Sequence, residues 1–225
     1  MRAKRGLRVL GLSMLAALGV LAIGVGSAQG QLPGESTLGK FTINGGEALL
    51  ATATGAQEGS GRLLIAGRNL DIKCEKADVT EGKINSKTEG LATVLYLECS
   101  ALEHKTNNPI AGCVIPKGEI AAKARLLPIL HNSIKYVLAE PHVTGGNFTV
   151  LSFESGKGCV LPLNNSIKGA VSGEVIQAEA VQQLVTLSQA IQLLLGDKLL
   201  FGTFPAYTVG AAIGELTGAH VGLSW

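Results

Sequence analysis

The sequence predicts an all-β domain, an antiparallel two-layer sandwich or a flattened barrel, and three observations carry that expectation. Turn-forming clusters of Gly, Asn, Asp and Pro recur at short intervals from Gly45 to Trp225. Thirty glycines among 225 residues accompany frequent Val, Ile, Leu and Thr, a composition suited to many short strands joined by tight turns. Between the turns the chain is either apolar without a break, as in Leu91 to Leu97, or alternating, as in Asn147 to Phe153. The first pattern is that of a strand buried on both faces and the second that of a half-buried one.

Residues 1–30 read as a signal peptide. Arg2, Lys4, Arg5 and Arg8 form a positive head, and the uncharged run Val9 to Val25 follows. Small residues then surround a cleavage site at Gly26-Ser27-Ala28 or Ala28-Gln29-Gly30. The run falls short of the roughly 20 residues of a spanning helix, and Gly11, Gly19 and Gly24 weaken it as an anchor; retention as an N-terminal anchor is the alternative. The expected destination is the exterior or the cell envelope. The leader holds four of the 19 Lys and Arg residues, leaving 15 against 17 Asp and Glu, a net charge of −2. A mildly acidic chain without a basic cluster offers no footprint for nucleic acid or anionic lipid. Membrane contact is expected only if the leader is retained or the chain is an outer-membrane barrel.

Residues 31–44 read as an N-terminal arm and 45–225 as one β domain. Glu47 to Thr54 is strand-like, and Ala56 to Gly61 is a turn cluster. Arg62 to Ala66 and Leu70 to Cys74 are strands around Gly67-Arg68-Asn69. Val79 to Ile84 and Ala92 to Cys99 follow, separated by Asn85 to Gly90, and Ser100 to Ala111 is a polar loop. Glu119 to Leu127 and Ile134 to Ala139 are strands with His131-Asn132-Ser133 as the turn between them. Ile167 to Ile176 follows a turn at Asn164-Asn165. Residues 178–195 are ambiguous. Val181, Leu184, Val185, Ile191 and Leu195 share a helical face, yet Leu184-Val185-Thr186-Leu187 is good strand material. Leu199 to Phe201, Tyr207 to Ile213 and Ala219 to Trp225 complete ten to twelve strands.

Asp71-Ile72-Lys73-Cys74, Glu81-Gly82-Lys83-Ile84, Ala92 to Cys99, Gly112-Cys113 and Gly173-Glu174-Val175-Ile176 give the chain a resemblance. From Arg62 to Trp225 it resembles a group of uncharacterised secreted, cysteine-containing all-β proteins of environmental bacteria, chiefly actinobacteria. The resemblance implies the fold class and export. It carries no activity, cofactor or catalytic residue.

Chemistry is sparse. Cys74, Cys99, Cys113 and Cys159 all follow the leader, where disulfides persist. No CxxC or HxxxH spacing suggests zinc, so no metal site and no cofactor is expected. Of the three possible pairings the expectation is Cys99–Cys113, bracketing the polar loop, with Cys74–Cys159 joining distant strand ends. His104, His131, His142 and His220 are scattered beside turns and strand ends, and no serine sits in a G-x-S-x-G elbow. Seventeen carboxylates give no ground for choosing a glycosidase pair, and nine aromatics are few for a sugar-binding surface. Catalytic residues and partners therefore stay unassigned, with an enzyme the less favoured class. An exported structural or interaction protein is the leading expectation. An outer-membrane β-barrel is the second, on the alternating, Trp-terminated tail 219–225. A secreted hydrolase with a site assembled only by the fold is the third.

Overall fold

The structure is a computed structural model that describes residues 36–43, 46–47, 52–176 and 182–216. The expected leader, residues 48–51 of the expected strand Glu47 to Thr54 and the tail strand Ala219 to Trp225 lie outside the described residues. The N-terminal arm carries β1 (Ser36–Leu38) and β2 (Thr42–Ile43), and β2 forms a small separate pair with β3 (Gly46–Glu47) just after the arm. Five long strands follow: β4 (Thr52–Ile65), β5 (Leu70–Ser86), β6 (Glu89–Leu102), β7 (Ile120–His131) and β8 (Ile134–Pro141). Next come β9 (Thr149–Ser152), β10 (Asn164–Lys168), β11 (Val171–Ile176) and β12 (Gln182–Leu187). A short helix α1 (Gln189–Leu195), β13 (Leu199–Phe201) and β14 (Phe204–Leu216) complete the described chain.

Eight of these strands close on themselves in the order β4-β5-β6-β7-β8-β11-β12-β14, all antiparallel. The ring shuts where β14 pairs with both β12, from Gln182↔Glu215 to Leu187↔Gly210, and β4, from Ala206↔Ile65 to Leu216↔Ala53. The fold is therefore the barrel, and not the sandwich, of the two expected arrangements. Closure removes the exposed edges that an open sheet of this size would carry.

Several local expectations change for identifiable reasons. Ala56 to Gly61 is no turn but a bulged stretch within β4, whose pairing with β5 jumps from Ala56↔Asp78 to Gly61↔Cys74. The extra residues bend the strand around the barrel instead of ending it. In the same way Leu70 to Cys74 and Val79 to Ile84 are one 17-residue strand with register shifts. Asn164 and Asn165 lie in β10, paired with β9, and the chain passes from β10 to β11 at Gly169 (φ +108°), where a Cβ would sit 1.8 Å from the Lys198 carbonyl oxygen. Residues 178–195 are both strand and helix. Ser188 ends β12 by capping α1, its Oγ accepting from the Ile191 N–H at 3.2 Å, and Gly196 (φ +71°) stops the helix after two turns. The turn at residues 131–134 holds as expected. Asn132 (φ +50°) and Ser133 (φ +65°) both take positive φ, which matches the twist of a two-residue hairpin.

Apolar packing divides into two clusters. The larger gathers Ile65, Leu70, Ile72, Ile120, Leu151 and Phe153, among others, toward the end of the barrel where β4 meets β5. There β13, β10 and β9 branch from the first residues of β14. Phe148 links this branch back to β7, its N–H donating to Ile167 O at 2.8 Å and its carbonyl accepting from Lys123 N at 3.0 Å. The smaller cluster joins Ile129, Tyr136 and Leu138 to Leu195 and Ile191 of α1. Gln192 pins α1 to β14, donating to the Thr208 carbonyl at 2.6 Å and accepting from the Thr208 N–H at 3.0 Å.

Candidate functional site

An eight-stranded barrel is just wide enough for side chains to fill, or for one small ligand if they do not. The inward positions here are largely small. Ala122 and Ala124 on β7, Ala92 on β6, Ala139 on β8 and Gly173 on β11 line the interior. On β14, Gly210, Ala212 and Gly214 continue the same face. Alternation places these residues inward and their neighbours outward. The volume they leave is a cavity of about 400 Å³.

The wall is apolar. Ile72, Val79, Val94, Leu126, Val137 and Val185 supply its larger side chains, and Tyr96 and Phe148 its rings. Gln183, Thr54, Thr149 and Thr208 are the uncharged polar residues on it, and Arg62 and Lys83 the charged ones. No carboxylate and no imidazole lies on the described wall. Burial holds the Tyr96 phenol above the usual tyrosine range, so it presents a neutral hydroxyl. Chemically the cavity can bury an uncharged apolar molecule and offer it occasional hydrogen bonds.

One end of the cavity is crossed by the N-terminal arm. Phe41 is 2% exposed and forms part of the wall. Its N–H donates to the Lys87 carbonyl at 2.6 Å, and the Gly39 N–H donates to the Pro128 carbonyl at 2.8 Å. Behind them β1 pairs with β7 at Ser36↔His131, Thr37↔Leu130 and Leu38↔Ile129.

The four cysteines form two disulfides, Cys74–Cys99 and Cys113–Cys159. Both expected pairings, Cys99–Cys113 and Cys74–Cys159, are corrected. Cys74 and Cys99 are direct partners on β5 and β6, with Cα atoms 4.0 Å apart, so neither is free to reach elsewhere. Cys113 and Cys159 instead tie the 103–119 loop to the 153–163 loop.

The remaining polar groups form separate structural pairs. Asp71, buried on β5, receives His104 Nδ1 at 2.9 Å and Arg62 at 3.4 Å, and Arg62 also donates to Asn107 at 2.6 Å. Arg125 donates to the buried Glu140 through Nε at 2.9 Å. Buried His131 has Ser36 Oγ at 3.0 Å on one ring nitrogen and Asn132 Nδ2 at 3.2 Å on the other. His142 is exposed, and His220 lies outside the described residues. Among the described residues no three His, Cys, Asp or Glu side chains gather in a way that could hold a metal ion. Nor is any buried side-chain nitrogen or oxygen left without a partner. No protein-family model, curated protein or solved structure matches the chain.

Proposed function

We propose that this is an exported binding protein that carries one small, uncharged, apolar molecule inside its barrel. The observation that carries the reading is the apolar cavity of about 400 Å³. A dry apolar cavity forgoes the packing contacts that its lining would otherwise make. Water is a poor filler, since it needs two to four polar partners and the wall is mostly hydrocarbon. An apolar guest recovers the lost contacts. The size falls within the roughly 300–1,000 Å³ of small-molecule sites.

This reading keeps the expected exported interaction protein and names what it interacts with. Two disulfides are compatible with an oxidising, extracytoplasmic location. The outer-membrane alternative would need an apolar outer band and a polar lumen. Here β5 and β7 carry exposed Glu75, Asp78, Glu81 and Lys123, and the interior is mostly hydrocarbon.

Titration with N-phenyl-1-naphthylamine, a neutral apolar fluorophore, tests the proposal. Saturable binding at one site per chain is expected. Ala122→Phe fills the cavity and should weaken binding at least tenfold while leaving the thermal midpoint unchanged or higher. Absence of saturable binding, or equal binding by a folded Ala122→Phe variant, would overturn the reading.

A further inference from the structure

We infer that the N-terminal arm is the port of the barrel: Phe41 is a movable part of the cavity wall, and an apolar ligand is taken up by displacing residues 36–43. The inference rests on the reading of the barrel as a ligand carrier and adds how its site is opened.

The first argument is position. The pairing of β6 with β7 ends at Gly90↔Leu126, and β1 takes over the free edge of β7 beyond it, at Ile129 to His131. The arm then passes Pro128 and reaches Lys87 in the turn between β5 and β6. It thus runs from one hairpin tip to the next, across the end of the barrel. Phe41 turns inward there and is 2% exposed, whereas Leu38, three residues earlier, is 45% exposed.

The second argument is how the arm is held. Each of the eight staves pairs on both sides. Among the described residues β1 pairs with β7 alone, through Ser36 to Leu38, and Ser36 and His131 add a side-chain contact. Segments with few ladder bonds open locally at a small fraction of the global unfolding free energy. At the opposite end, among the described residues, a disulfide and packed aromatic rings hold the loops together.

The third argument is chemical. Phe41 presents to the cavity the same hydrocarbon surface that a ligand would. A guest entering beneath the arm exchanges one apolar contact for another and fills volume that is otherwise empty. The ring therefore acts as an internal competitor for the outer part of the site.

The experiment locks the arm. Thr37 and Leu130 are direct cross-strand partners, so Thr37→Cys with Leu130→Cys places two thiols where a disulfide can form. Uptake of N-phenyl-1-naphthylamine is followed by stopped flow in the oxidised double variant, in each single variant with its thiol capped, and in Phe41→Ala. The oxidised pair should slow uptake at least tenfold, the single variants should match wild type, and Phe41→Ala should speed uptake severalfold. Wild-type rates in the oxidised pair, or no acceleration in a folded Phe41→Ala, overturn the port and leave the carrier reading intact. No saturable binding by wild type or by Phe41→Ala overturns both.

Discussion

The two ends of the barrel are closed by different means. At the end where β4 turns into β5, closure is covalent and densely packed. Cys113–Cys159 ties two loops together, Phe148, Leu151, Phe153 and Phe201 are buried, and Arg68 in the β4–β5 turn lies 4.1 Å over the Phe204 ring. Cys74–Cys99 staples β5 to β6 in the same half. At the other end the described residues include the strand β1, the contact of Ser36 with His131, the backbone hydrogen bonds of Gly39 and Phe41, and the buried Phe41 ring. Among the described residues, the two disulfides and the larger apolar cluster lie at the first end, the floor. A carrier benefits from that division, because opening one end need not cost the stability of the whole.

The strongest way to break the comparison is to remove the floor's crosslink. The Cys113–Cys159 bond spans 46 residues, and loop-closure entropy puts its loss at about 4 kcal/mol. Replacing both cysteines with serine should lower the urea midpoint accordingly while probe uptake through the arm keeps its wild-type rate. The Cys74–Cys99 bond spans 25 residues, about 3.5 kcal/mol on the same argument, but it joins strands that already pair. Its removal should cost less than that figure. Faster uptake in the Cys113→Ser/Cys159→Ser variant would show that the floor is also a route.

A smaller effect comes from two glycines with the same backbone angle. Gly112 and Gly145 both sit at φ +74°. A Cβ at Gly112 would lie 2.2 Å from the Lys157 carbonyl oxygen, whereas at Gly145 nothing lies within 4 Å. Gly145→Ala therefore pays only the left-handed backbone cost, about 1 kcal/mol. Gly112→Ala adds a clash with backbone and should cost about 2 kcal/mol or more. Equal melting temperatures for the two variants would show that the 103–119 and 153–163 loops are not held as closely as described.

How much of this was legible in the sequence varies with the range of the interaction. The all-β class, the 131–134 turn and the bridging of all four cysteines follow from local chemistry. The pairing does not, and β5 shows why. A bulge-free hairpin through the 86–89 turn would set Cys74 opposite Ala101. Two register shifts, at Val79/Glu81 and Ile84/Ser86, move its partner to Cys99. Nothing local in the sequence announces those bulges. The cavity was half visible. Ala122 with Ala124, and Gly210 with Ala212 and Gly214, recur at every second residue. Which face such residues line is settled only when the ring closes, and closure joins β14 to β4 across more than 140 residues. Phe41 lay within the expected arm, but an apolar residue in a linker says nothing about what it covers.

The finest test concerns one carboxylate in the closed half. Asp197 accepts hydrogen bonds from the Ser172 N–H and, at 3.0 Å, from the Ser172 hydroxyl, joining the start of β11 to the turn after α1. Burial raises its pKa from 3.8 to about 6, against the lowering influence of those two bonds. The folded protein thus holds this proton more tightly than the unfolded chain does. Stability from this group is fully present below about pH 4, falls as pH rises toward about 6, and is level above that. One pKa unit corresponds to about 1.4 kcal/mol, and solvent at this partly buried site reduces the total change to on the order of 1 kcal/mol. Asp197→Asn keeps an acceptor for the Ser172 N–H and removes the charge. It should flatten that part of the urea-midpoint curve between pH 4 and 7 and leave the variant at least as stable as wild type at pH 7. If uptake runs only beneath the arm, probe uptake by the variant should equal wild type at each pH. Uptake that changes with this substitution would mean that the two ends are coupled, and the division between floor and port would have to be abandoned.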